Sequence, residues 1–155
     1  MDNYLQQQLS GNHCFGCGVD NPQGLQIKSD WAADDSVECR FTPEPHHCAG
    51  PQKVLNGGII ATIIDCHCIV AAMAKAYRMA GRELGEGARI WFATGALEVS
   101  YLKPTPIDND VLLKARFLDT AEKKITVACE LFSGSDLCAT ANVVAVKVPN
   151  SWFDQ

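Results

Sequence analysis

Apolar and polar positions change pattern twice along the chain. Leu25 to Trp31 and Val37 to Phe41 alternate polar with apolar residues, the period of half-buried strands, with Ala32-Ala33-Asp34-Asp35 splitting the pair. From about Gly57 to about Met79 the alternation gives way to a run that is apolar on almost every side. That pattern predicts a helix buried all round, with Asn56 as its N-cap and Gly81 as its stop. Four strand-like segments follow: Arg89 to Leu102, Val111 to Leu118, Ile125 to Phe132 and Cys138 to Lys147. Turn chemistry at Asp108-Asn109-Asp110, Asp119 to Glu122 and Ser133 to Asp136 joins the last of them. Such short connections predict antiparallel neighbours. Ahead of the strands, Asp2 to Leu9 reads as a short helix and His13 to Leu25 as a loop dense in Gly, Asn and Pro. Thr42 to Lys53 reads as a second loop, rich in Pro, His and Gly.

Two strands, one long apolar helix and four strands make an α+β chain. A single sheet buries such a helix on all sides only by curling round it, or with a second subunit as cover. The expectation is a hot-dog fold, an antiparallel sheet wrapped around a long central helix. Residues 1–155 read as one domain, with an N-terminal helix and loop over 1–24 and the central helix over 57–79. With 47% hydrophobic and 20% charged residues, the chain has the profile of a globular protein and not a disordered one. A net charge of -5 without a Lys/Arg cluster argues against nucleic acid or an anionic membrane as partner. The run from Ile59 to Ala74 is short for a bilayer span and contains Thr62, Asp65 and His67. The N-terminal stretch has neither a basic region nor an apolar one, so no secretory signal is read and a cytoplasmic location is expected. In that setting the eight cysteines are expected to be reduced, most of them small buried hydrophobes.

Asp65 is the one acid in the apolar run. Asp is seldom buried unless something pairs with it or uses it, so chemistry is the reading to test. The structural alternative is a carboxylate that caps a loop or pairs with a Lys. Asp65 and His67 do not make a dyad, because positions i and i+2 point roughly 200° apart on a helix. His67 is expected to be a core or interface histidine with its hydrogen bonds satisfied. Cys66 and Cys68 lie on other faces than Asp65, which argues against a cysteine nucleophile. His13-Cys14-x-x-Cys17 and His46-His47-Cys48 are raw material for zinc, but the second cluster lacks ligand-pair spacing. The expectation is a Gly-rich loop that tucks Cys14, Phe15 and Cys17 against the sheet, with no metal.

Three segments carry a family resemblance: His13-Cys14-Phe15-Gly16-Cys17-Gly18 through Asn21-Pro22-Gln23-Gly24-Leu25, Asn56-Gly57-Gly58 to Asp65, and Thr94 through Pro104. Together, in this order, they resemble the hot-dog acyl-CoA thioesterases of the phenylacetate-pathway (PaaI-like) group. The resemblance implies an acyl-CoA substrate and backbone N–H groups of Gly57 and Gly58 that polarise the thioester carbonyl. It implies Asp65 as general base or nucleophile, and Thr94 as an assisting hydroxyl. Asn56 stands where the family usually has His; it can donate a hydrogen bond but cannot be protonated. Gln52 is the nearest match to a loop amide that contacts the carbonyl in relatives. Homodimers or pairs of dimers are implied, and no cofactor.

Distance sharpens this. Gly57 and Asp65 are eight residues apart, roughly 12 Å along one helix axis. One thioester carbonyl cannot touch both, so the donor and the carboxylate must come from different chains of a two-fold dimer. Arg82, Arg89 and Lys103 flank the site and could meet CoA phosphates or be solvated surface charges. The alternatives to hydrolysis are a non-catalytic acyl-CoA binding module and a hot-dog dehydratase; the latter usually pairs a His with an acid.

Overall fold

The computed structural model describes residues 3–154. Strands β1 (Ser29–Trp31) and β2 (Val37–Phe41) precede helix α1 (Gly57–Met79). Strands β3 (Trp91–Tyr101), β4 (Val111–Thr120), β5 (Lys124–Ser133) and β6 (Asp136–Val148) follow it. They form one six-stranded sheet in the order β1-β2-β4-β5-β6-β3, every pair antiparallel. The helix lies against β1, β3, β4, β5 and β6, which is the hot-dog arrangement.

The sheet's inner face follows from period-two alternation. In β5, Ile125, Val127, Cys129, Leu131 and Ser133 are buried and the residues between them are not. The first four share one hydrophobic core with Ile63, Ile64, Val70, Met73 and Tyr77 of α1. Each such side chain contributes roughly 1.5–3 kcal/mol of apolar burial. By length and composition α1 could span a membrane, yet most of it is packed inside this sheet.

The helix begins and ends as its sequence dictates. Asn56 is extended, and its Oδ1 accepts from the Ile59 N–H at 3.1 Å. At the other end Gly81 takes φ +71°, a left-handed conformation glycine adopts without penalty. The Gly81 N–H reaches the Arg78 carbonyl and the Arg82 N–H reaches that of Tyr77, a Schellman closure.

His67 is fully buried and satisfied, as expected. Its Nε2 lies 3.0 Å from the Val37 carbonyl and its Nδ1 2.8 Å from Ser29 Oγ. A carbonyl only accepts, so Nε2 carries the proton and Ser29 donates to Nδ1. Ser29 Oγ in turn accepts from Gln6 Nε2 at 2.9 Å, and Gln6 Oε1 accepts from the Ser29 N–H at 2.8 Å.

The structure departs from the sequence reading in four places. The first strand is confined to Ser29–Trp31, because Gln26 sits at φ +51° and breaks the extended run that begins at Leu25. The N-terminal helix is a single 3-10 turn over Leu5–Gln8; Asp2 lies outside the described residues. The Cys14–Cys17 loop packs beside Thr62 and Cys66 of α1 and leaves Phe15 exposed, not tucked in. Finally, α1 is not covered all round. Gly58 is exposed and Thr62, Asp65 and Ile69 are half-buried, a stripe at helical spacing that the sheet leaves open.

Candidate active site

The start of α1 is held from both sides. The Leu55 N–H bonds to the Thr105 carbonyl at 2.8 Å, and the Asn56 N–H bonds to that of His47 at 2.9 Å. The Tyr101 hydroxyl donates to the Gly57 carbonyl at 2.6 Å. With Asn56 Oδ1 engaged at Ile59, no hydrogen bond among the described residues uses the Gly57 or Gly58 N–H. Two amides without a partner among the described residues, backed by the helix dipole, therefore stand at the helix start, where Gly57 is half-buried and Gly58 exposed. Gln52 is exposed in the preceding loop.

Asp65 lies two turns further on, beside a different element. Thr94 Oγ1 donates to Asp65 Oδ1 at 2.6 Å. Thr94 shares a strand face with the buried Phe92, and the register slips directly after it, between Thr94 and Ala96. Gly95 forms that bulge, and a Cβ there would come within 2.6 Å of Val146 Cγ2. Burial pushes the Asp65 carboxyl above the usual carboxylate range; the Thr94 hydrogen bond opposes the rise.

The two residues border a cavity of about 380 Å³, with apolar walls that include Ile69, Met73, Trp91 and Phe153. Such a space suits an acyl group beside a carboxylate. Asn56, Gly57 and Gly58 do not line it. Within one chain, then, the structure joins Asp65 to Thr94 and leaves the helix start apart. A larger cleft of about 620 Å³ lies at the far end of α1, near Met79 and Lys147, away from both.

Ile69 and Met73 stand four and eight residues after Asp65, so helical spacing alone could have found them. Trp152 and Phe153 come from a C-terminal 3-10 turn that only folding brings to the cavity. Helical angle puts Cys66 on another face than Asp65, yet Cys14, Cys17 and Cys66 all border the cavity. Hydrogen bonds from the Cys17 and Cys66 thiols hold the Cys14 thiol well below its usual range, and the same bonds push those two thiols up. The flanking cations have local partners. Arg82 donates to the Glu86 and Ala88 carbonyls, Arg89 stacks on Phe153, and Lys103 pairs with Asp136.

Residues 52–145, more than half of the chain, match the thioesterase superfamily. A thioesterase superfamily protein of known structure from Shewanella loihica is 32% identical, with 90% of this chain and 96% of that one covered and a TM-score of 0.68. A thioesterase from Haemophilus influenzae is 14% identical over 80% of this chain and 79% of its own, with a TM-score of 0.65. A mutant thioesterase from Pseudomonas aeruginosa is 15% identical over 81% and 83%, also with a TM-score of 0.65. At that identity the last two share the fold alone. No curated protein sequence matches the chain significantly.

Proposed function

Because the chain belongs to the thioesterase superfamily, we propose that it hydrolyses acyl-CoA thioesters at sites shared between two copies of itself. Family membership supports thioester hydrolysis; the CoA substrate and the residue roles are our reading. The observation that carries it is the Asp65–Thr94 hydrogen bond at the wall of an apolar cavity.

In the proposed reaction the acyl group occupies the cavity and its carbonyl oxygen meets the free amides of Gly57 and Gly58. Asp65 takes a proton from water as the water oxygen bonds to the carbonyl carbon. The carbon–sulfur bond then breaks, the thiolate of CoA leaves, and the proton returns to it. Attack by the carboxylate itself would give an anhydride, which water opens to the same products. Thr94 is a positioning residue that holds one carboxylate oxygen and leaves the other free. The Asn56 side-chain N–H2 remains available as a further donor, since its oxygen caps the helix.

Gly57 and Gly58 lie outside the cavity of their own Asp65, which supports a donor from a second chain. The edge of the sheet supports it too. β3 ends the strand order, and Thr94 to Glu98 along it are exposed. An unpaired edge of that length is a template for a second copy. Two antiparallel helices about a two-fold axis would bring each chain's glycines to the other's Asp65.

The test is thiol release from a panel of acyl-CoAs. Wild-type protein should release CoA, and Asp65→Asn should lose at least about 100-fold in kcat/KM while staying folded. Binding of acyl-CoA without thiol release across the panel would replace this reading with a non-catalytic binding module.

A further inference from the structure

Three cysteines distant in sequence meet beside the Asp65 cavity. Cys14 and Cys17 come from the N-terminal loop and Cys66 from α1, and their sulfur atoms all lie within 4.8 Å of one another. The Cys14 and Cys66 sulfurs are 3.6 Å apart. Thiolates bound at ~2.3 Å around a tetrahedral ion stand about 3.8 Å from each other. The Cys14–Cys66 pair stands close to that spacing, and the third sulfur lies within 4.8 Å of both.

The surroundings fit a ligand set better than accidental burial. A Cβ on Gly16 would come within 2.3 Å of Cys66 Sγ, and one on Gly18 within 2.4 Å of the Asn12 carbonyl. Only glycine at both places lets the C-x-x-C turn press its sulfurs onto the helix. A side-chain amide also serves one of those sulfurs. The buried Asn12 amide donates to Cys17 Sγ at 3.6 Å. Donors of this kind surround and orient metal-bound thiolates. Cys14 is exposed, so an ion has a path in. Among the described residues no fourth His, Cys, Asp or Glu atom joins the group.

We infer that Cys14, Cys17 and Cys66 bind a thiophilic divalent cation, zinc, with its fourth coordination position open to the cavity. Three thiolates select zinc over magnesium, calcium or manganese. Binding releases the thiol protons and needs no oxidant. The ion ties the N-terminal loop to α1 and so fixes the cavity wall next to Asp65. The sequence alone leads to no metal, because the other candidates, His46 and His47 beside Cys48, lack ligand-pair spacing. They form a separate group with Glu44, and His47 Nδ1 is already taken by the Glu44 N–H.

The inference does not depend on the proposed hydrolysis, because metal content is read without substrate. Tag-free, reduced protein should carry one zinc ion per chain through gel filtration, measured by elemental analysis. Cobalt put in its place should give the thiolate-to-metal charge-transfer band and the visible bands of a tetrahedral site. Cys14→Ser, at the exposed rim, should lower zinc affinity by at least tenfold and weaken the cobalt band, whereas Cys48→Ser, outside the group, should leave both unchanged. The wild-type cobalt spectrum keeps the test open if a cysteine variant fails to fold. Reduced wild-type protein with no zinc and no cobalt–thiolate band would overturn the inference. So would full zinc retention in a folded Cys14→Ser protein. A disulfide between two of the three in metal-free protein purified without reductant would overturn it in favour of a redox pair.

Discussion

Replacing Thr94 with Val removes one hydroxyl and keeps the branched shape that a strand favours. The hydroxyl donates to Asp65 Oδ1 at 2.6 Å, within the range of charge-assisted bonds. Bonds to charged groups are worth roughly 1.5–3 kcal/mol. Thr94 is exposed and Asp65 only half-buried, so water competes and the lower end applies. About 1.5 kcal/mol corresponds to a loss of about tenfold in kcat/KM. The loss should fall on kcat with KM little changed, because Thr94 orients the carboxylate and does not hold the acyl group. Steady-state thiol release with the best acyl-CoA of the panel measures this. Thr94→Ser, which keeps the hydroxyl, should recover most of the rate and the melting temperature, whereas Thr94→Val should melt about 4 °C lower while staying folded at the assay temperature. Wild-type kcat/KM in folded Thr94→Val protein would refute the positioning role. An equal loss in Thr94→Ser would do the same, because the bond would then not be the cause.

Asn56→Ala removes the N-cap to Ile59 and should cost about 1 kcal/mol in urea unfolding, with a fall of about 3 °C in melting temperature. An unchanged midpoint would mean that the cap is idle in solution. Burial pushes the His67 imidazole from its ordinary 6.5 down to about 4. Between those values the unfolded chain binds the proton that the folded chain refuses. The stability from this group is therefore present above 6.5 and lost as pH falls through that window. The loss is about 3 kcal/mol, read from chemical denaturation at successive pH values. A flat profile there would contradict the neutral, doubly hydrogen-bonded imidazole. Light scattering at micromolar concentration should give a dimer or a multiple of one; an active monomer would sink the shared site.

The architecture was legible because its signals are local. A capping Asn56, a left-handed Gly81 and an apolar run between them act within a few residues, and the α1 limits came out where those residues stand. Short turns likewise declared the antiparallel run from β4 to β6. Asp65 stood out for a similar reason: one acid in an apolar helix can be seen without knowing what surrounds it. Its neighbours were another matter. That Thr94 reaches Asp65 depends on how β3 crosses the helix and on a bulge at Gly95. Helical angle separates Cys66 from Asp65, and that angle is correct; what it omits is a loop some fifty residues earlier, folded onto the same flank with Cys14 and Cys17. Periodicity along a chain tells which way a side chain points from its own helix. What waits at the end of it is set by packing between distant segments, and no spacing in the sequence records that.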